Sequence, residues 1–217
     1  LTDKDYNDWG LGELLALYGS AYNVNIKIFN DLQHTITGWP GGKPGADDTY
    51  RPERAKPYPK RVIVFSPHPD DDVISMGGTL KRLVDQHHDV HVAYETSGNI
   101  AVGDEDMMRY FLMMDKIAPM FGFDTDGYKK LSGEVHGFVA NKKAGDTDIS
   151  DIREIKTMIR QAEATIACNY IGVKPGNIHF LRLPFYETGT IKKGDLSERD
   201  VDIVKNLLLS VKPHQIF

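Results

Sequence analysis

The stretch Arg61-Val-Ile-Val-Phe-Ser66-Pro-His68-Pro-Asp70-Asp71-Asp72 decides the fold. Its first six residues are mostly β-branched or aromatic and read as a buried strand, which Pro67 and Pro69 then bring to a halt. Working outward, residues 75–87 read as a helix opened by Gly77-Gly78, with Leu80, Leu83 and Val84 on one face. Residues 90–96 read as a second strand. Strand, loop, helix and strand within about 35 residues form a βαβ unit, and such units build parallel sheets. The chain is therefore α/β.

Further along, helices are expected at 104–121 (rich in methionine), 151–170 and 197–210, with strands at 177–183 and 214–217. Residues 123–150 are polar and Gly-rich and read as loop. Upstream, Leu11, Leu14, Leu15 and Tyr18 follow helical spacing, and 21–29 alternate like a strand. Between 37 and 59 come Pro40, Gly41, Gly42, Pro44, Gly45, Pro52, Pro57 and Pro59, a stiff connector. It divides the chain into 1–56 and 57–217. The first residue is Leu1 and the last segment stops on an apolar strand, so a piece of a longer protein is expected.

Composition narrows the class. The chain has 217 residues, 41% hydrophobic and 26% charged, which excludes disorder over most of its length. With 26 Lys+Arg against 31 Asp+Glu the net charge is −5, giving no electrostatic reason to expect nucleic acid or anionic lipid. No apolar run approaches the ~20 residues of a membrane span, so a membrane-embedded protein is not expected. Cys168 is the only cysteine, which points to a reducing compartment, and a cytoplasmic location is expected.

The chemistry concentrates in the turn after the first strand. Sites in open α/β sheets lie outside the carboxyl ends of strands. Here one imidazole and three consecutive carboxylates occupy five residues, 68–72. Adjacent carboxylates repel unless a cation or hydrogen bonds compensate, and a divalent metal with nitrogen and oxygen ligands would do so. Side chains on a tight turn cannot all face one ion. His68 and one Asp on the metal, with another Asp as general base beside a bound water, is one division. The alternative is an Asx-rich helix N-cap, which accounts for one Asp and leaves His68 unexplained.

Pro67-His68-Pro69-Asp70-Asp71, placed after the first strand of a βαβ unit, resembles the signature of the LmbE-like or PIG-L zinc-dependent de-N-acetylases. The resemblance covers about 59–217 and implies a Rossmann-like three-layer fold with a mostly parallel sheet. It implies zinc as cofactor, His68 and Asp71 as its ligands, Asp70 as general base, and an N-acetylglucosamine derivative as substrate, a phosphorylated one included. Arg160-Gln-Ala-Glu163 resembles the family's Arg-x-x-Glu pattern, whose Arg reaches the substrate; the alternative for Arg160 is a helix-surface charge paired with a neighbour. The family has Glu where this chain has Asp72, and draws a third zinc ligand from a later His motif, expected beyond Phe217. A phosphate would need basic partners, for which Lys81, Arg82 and Arg160 are candidates.

Asp5-Tyr-Asn-Asp-Trp-Gly10 through Trp39-Pro-Gly-Gly42 resembles the tail of a glucosamine-6-phosphate deaminase-like domain, fused in some proteins ahead of a PIG-L domain. Trp9 and Trp39 then read as packing residues, and homo-oligomerisation through the deaminase is compatible with such a fusion. The competing function is a non-catalytic accessory to that deaminase. Other signals read as structural. Asp124-Thr-Asp126-Gly127 lacks the flanking ligands of a calcium loop and is a turn. His87, His88 and His91 should diverge between a helix end and a strand. His179 and His214 precede strand ends and are not promoted. The helix-104 methionines read as core, and Ser97-Gly-Asn99 as a turn or a substrate contact.

Overall fold

A computed structural model describes residues 9–33, 59–123 and 125–217. Strand β1 (Arg61–Ser66) lies at the heart of a sheet with β2 (Asp89–Tyr94), β3 (Ile178–Phe180) and β4 (Gln215–Ile216). The order is β3-β2-β1-β4 and every pair is parallel, with Val62 opposite Val90 and Val92 opposite Ile178. Alternation along β1 explains the layering. Val62 and Val64 face one side, where they pack with Leu80 and Leu83 of α3 (Asp71–Asp85) and Ala164 and Cys168 of α6 (Ser150–Ile171). Ile63 faces the other side and meets Leu207 and Val211 of α7 (Glu198–Val211). Helices on both faces of a parallel sheet give the expected α/β three-layer arrangement.

A second apolar cluster lies beside the sheet. Met107 and Phe111 of α4 (Asp104–Phe121), Val135 of α5 (Thr125–Asn141) and Ile152 and Ile159 of α6 form it. Helix α6 therefore joins both clusters, and Arg160 sits where one gives way to the other. Only Met107 and Met108 of the α4 methionines pack here; Met113 and Met120 are exposed, against the core reading of the whole set.

Three expected elements differ. Residues 123–150 were expected as loop, yet contain α5. Leu131, Val135, Phe138 and Val139 keep a helical face, and Gly127, Gly133 and Gly137 masked it because glycine disfavours helix. Residues 21–29 form not a strand but the start of α2 (Ala21–Gln33), which pairs with α1 (Trp9–Tyr18) around Leu15, Ala21 and Val24. Ser20 accepts the Asn23 N–H at 3.3 Å, an N-cap that the alternating pattern concealed. Helix α3 begins at Asp71 rather than 75. Non-helical backbone at Met76 breaks it just before Gly77-Gly78, so the expected helix was its second half. Residues 37–58 of the connector, the boundary at 56/57, Trp39, residues 5–8 of the Asp5–Gly10 motif and Asp124 lie outside the described residues. No helix among the described residues is long and apolar enough to cross a membrane.

Candidate active site at the carboxyl end of the sheet

The chain leaves β1 at Ser66 and turns through Pro67–Asp70 into α3. Ser66 is buried and organises this turn from beneath: its hydroxyl donates to the His68 carbonyl at 2.6 Å and accepts the Asp72 N–H at 3.0 Å. From the neighbouring strand end, the Thr96 hydroxyl donates to the Pro67 carbonyl at 2.6 Å. Gly98 supports Pro69 from the side. Its φ of +63° is left-handed, and a Cβ there would stand 2.8 Å from Pro69 Cδ. Only glycine satisfies both demands.

On that platform the three carboxylates separate. Asp71 turns back to His68, its Oδ2 lying 3.1 Å from His68 Nδ1 and accepting the His68 N–H at 3.0 Å. Both side chains are open to solvent, 47% and 37% exposed. Asp70 points to α6, where Arg160 Nη2 donates to its Oδ2 at 2.8 Å. Asp72 goes inward and is 2% exposed. Tyr94 donates its hydroxyl to Asp72 Oδ2 at 2.8 Å and meets Cys168 Sγ at 3.2 Å. Burial pushes the Asp72 carboxyl above its ordinary range, against hydrogen bonds from Tyr94, the backbone and Ser66 that favour the charged form. Burial also raises the Tyr94 phenol and the Cys168 thiol, so that this thiol is inert rather than nucleophilic. Asp72 thus anchors the turn to the core.

The N-cap alternative is met only in part, since Asp71 and Asp72 lie in the first turn of α3 but the capping bond is not made. Asp70 occupies the N-cap position of α3 and makes no side-chain capping bond; its carboxylate goes to Arg160 instead. Arg160 is paired within its helix, as its helix-surface reading expected, and also reaches across to the turn. It pairs with Glu163 at 2.7 Å on its own helix and spans to the Asp70 turn, where it also donates to the Pro69 carbonyl at 3.3 Å. Its Nε is buried without a partner among the described residues.

Sequence reasoning missed the third side of the site. The loop after β3 brings Tyr186, whose ring lies edge-on to the His68 imidazole at 5.6 Å between centroids, and Glu187, which accepts the Ser97 N–H at 3.1 Å. That loop is fastened to α7, because Asp200 accepts the Phe185 N–H at 2.9 Å while closing a capping box with Ser197. Irregular backbone carries no periodicity, so nothing in the sequence flagged these residues. Ser97-Gly98-Asn99, by contrast, was marked as a strand-end feature, and it does flank the turn.

The donor set fits part of a metal site. His68 nitrogen and Asp71 oxygen converge in the open, as a borderline divalent ion would require. Among the described residues no third His, Cys, Asp or Glu joins them in a cage.

A family profile described as GlcNAc-PI de-N-acetylase, PIG-L, matches residues 63–217. The chain belongs to the PIG-L family. It is also 64% identical over its whole length to a protein of Bacteroides thetaiotaomicron named as glucosamine-6-phosphate deaminase-like, covering 33% of that protein. It is 29% identical over 102 residues, 46% of the chain and 35% of the relative, to the diacetylchitobiose deacetylase of Thermococcus kodakarensis. The chain thus matches about a third of the length of each relative. No solved structure matches. The PIG-L match begins inside β1 and runs through β2, β3 and β4, so it includes the turn at 66–72.

Proposed function

We propose that this PIG-L domain is the hydrolytic part of a metal-dependent de-N-acetylase that removes the acetyl group from an N-acetylglucosamine derivative. The observation that carries the reading is the division of labour in one turn: exposed His68 and Asp71 converge, while Asp70 beside them is held separately by Arg160. Amino-sugar deacetylation by the Thermococcus relative and the amino-sugar name of the Bacteroides relative support the substrate class.

His68 and Asp71 would hold the metal, zinc in our reading, with a third ligand supplied from outside the described residues. Such an ion, when bound, polarises the amide carbonyl and makes a bound water more acidic. The chain's own residues then do the rest. Asp70 Oδ2 is fixed by Arg160, and Oδ1 has no partner among the described residues. That oxygen takes the proton from the attacking water and returns it to the departing amine. Asp70 is thus the catalytic base and acid; Arg160 fixes its orientation and lies close enough to the turn to meet substrate. Tyr186, edge-on to His68, bounds the site on the loop side.

The test is acetate release from N-acetylglucosamine and its 6-phosphate by the full-length protein with zinc supplied. Asp70→Asn should lower the rate by about 10²- to 10⁴-fold. Zinc-independent release, or release unchanged in Asp70→Asn, overturns the reading.

A further inference from the structure

Beside the catalytic turn lies a cavity of about 550 Å³ that the deacetylation chemistry does not use. Asn99, Ser150, Arg153, Arg182, Glu187 and Arg199 are among the residues that line it. Three arginines against two carboxylates, Glu154 and Glu187, leave the lining with a positive excess on a chain of net charge −5. Arg182 is answered within the protein, by Glu154 through two contacts of 3.0 and 2.8 Å and by Glu187 at 3.7 Å. Arg153 and Arg199 have no carboxylate partner among the described residues. Arg153 Nε is moreover buried without an acceptor among the described residues. A guanidinium without a carboxylate partner keeps its full charge, and an anion is its natural partner.

The surroundings are built to hold that arginine. Gly189 has a φ of +75°, and a Cβ there would lie 2.3 Å from Arg153 Nη1, so the loop after β3 closes directly over the guanidinium. Arg182 itself follows β3 with a φ of +49°, a left-handed backbone that arginine rarely adopts. Ser150 is the first residue of the 22-residue helix α6, whose free N–H groups and dipole add positive character to the same cavity.

We propose that this cavity is an anion subsite that binds the phosphate monoester of a phosphorylated N-acetyl amino sugar. The proposal rests on the deacetylase reading and names its substrate class. The layout supplies the link. Arg153 and Arg160 are seven residues apart on α6, two helical turns, and so about 10 Å along one face. Arg160 reaches the catalytic Asp70, while Arg153 lines the cavity, a separation suited to a hexose ring with a terminal phosphate. The same loop serves both places: Pro184 and Glu187 line the cavity, and Tyr186 between them touches His68. Lys81, a phosphate partner suggested by sequence, pairs instead with Asp85 on α3.

Calorimetric titration of the metal-free full-length protein with N-acetylglucosamine 6-phosphate, N-acetylglucosamine and inorganic phosphate tests this without requiring turnover. The sugar phosphate should bind more tightly than the sugar, and inorganic phosphate should compete with it. Arg153→Gln, and separately Arg199→Gln on the exposed face of α7, should each weaken the sugar phosphate about 10- to 100-fold and leave the plain sugar unchanged. Equal affinity for both sugars, or equal effects of the substitutions on both, overturns the proposal. Arginine-dependent phosphate binding without acetate release keeps the subsite and removes the deacetylase reading. Acetate release with identical kcat/KM for both sugars, unaffected by Arg153→Gln, keeps the deacetylase and removes the subsite.

Discussion

The two ends of the sheet use the same residue type for opposite purposes. At the amino end, histidines are structural. His88 Nδ1 accepts the Lys60 N–H at 2.9 Å, and His214 Nδ1 accepts the Arg61 N–H at 3.0 Å, fixing the entry to β1. His91 of β2 stacks on His179 of β3, with 2.9 Å between ring nitrogens and Asp89 3.5 Å away. Burial lowers the pKa of all three of His88, His91 and His179. At the carboxyl end, His68 stands in solvent beside a carboxylate and does nothing for the core. A histidine becomes a ligand candidate through being left exposed with an oxygen donor at a strand's carboxyl end, not through proximity to other histidines.

The largest effect that would sharpen this contrast is on turnover. Asp70→Asn should reduce acetate release about 10²- to 10⁴-fold with an unchanged unfolding midpoint. A matching fall in stability would show that Asp70 belongs to the framework. Next comes Gly98→Ala, which combines a left-handed φ with a contact on Pro69. It should cost about 1–2 kcal/mol from backbone strain and move the turn, so that both Tm and kcat fall. An unperturbed kcat would mean that the turn does not depend on this support.

Tyr94→Phe removes the hydroxyl from Asp72 at the floor of the site. About 1–3 kcal/mol should be lost in denaturant unfolding, because the buried carboxyl is left without its best donor. The smallest effect belongs to the amino end. The unfolded chain protonates His91 and His179 near the ordinary histidine value of about 6.5, whereas the fold holds them neutral to lower pH. Stability that is fully present above that value is therefore lost as pH falls below it toward the folded pKa. Thermal melts should show Tm declining from pH 7 to 5, and the double substitution His91→Phe, His179→Phe should flatten the decline. Persistence of the full slope in that variant would place the titration elsewhere.

How much of this was legible follows from the physics of each segment. The β1–α3–β2 unit was plain, because buried parallel strands are continuous apolar runs flanked by turn residues. Helix α5 was not, since its three glycines outweighed a correct apolar face, and α2 was not, since Ser20 gave the only cue against an alternating pattern. At the site, His68, Asp70 and Asp71 stood out because charge crowded into a strand-end turn is costly without a purpose. Asp72 carried no mark of its inward path, which depends on Tyr94 and Cys168, 22 and 96 positions away in sequence. Tyr186, Glu187 and the Arg153 cavity arise where an irregular loop folds back on α6, and no local pattern encodes that meeting.

The central claim, that the turn after β1 is a metal-bearing hydrolytic centre, is tested most directly by elemental analysis of the full-length protein and its His68→Ala, Asp71→Ala double variant. The account predicts about one zinc or equivalent divalent ion per chain, lost in the double variant while the circular dichroism spectrum is retained. A natural protein that carries no metal, or a double variant that keeps it, would contradict the account and favour a non-catalytic accessory domain.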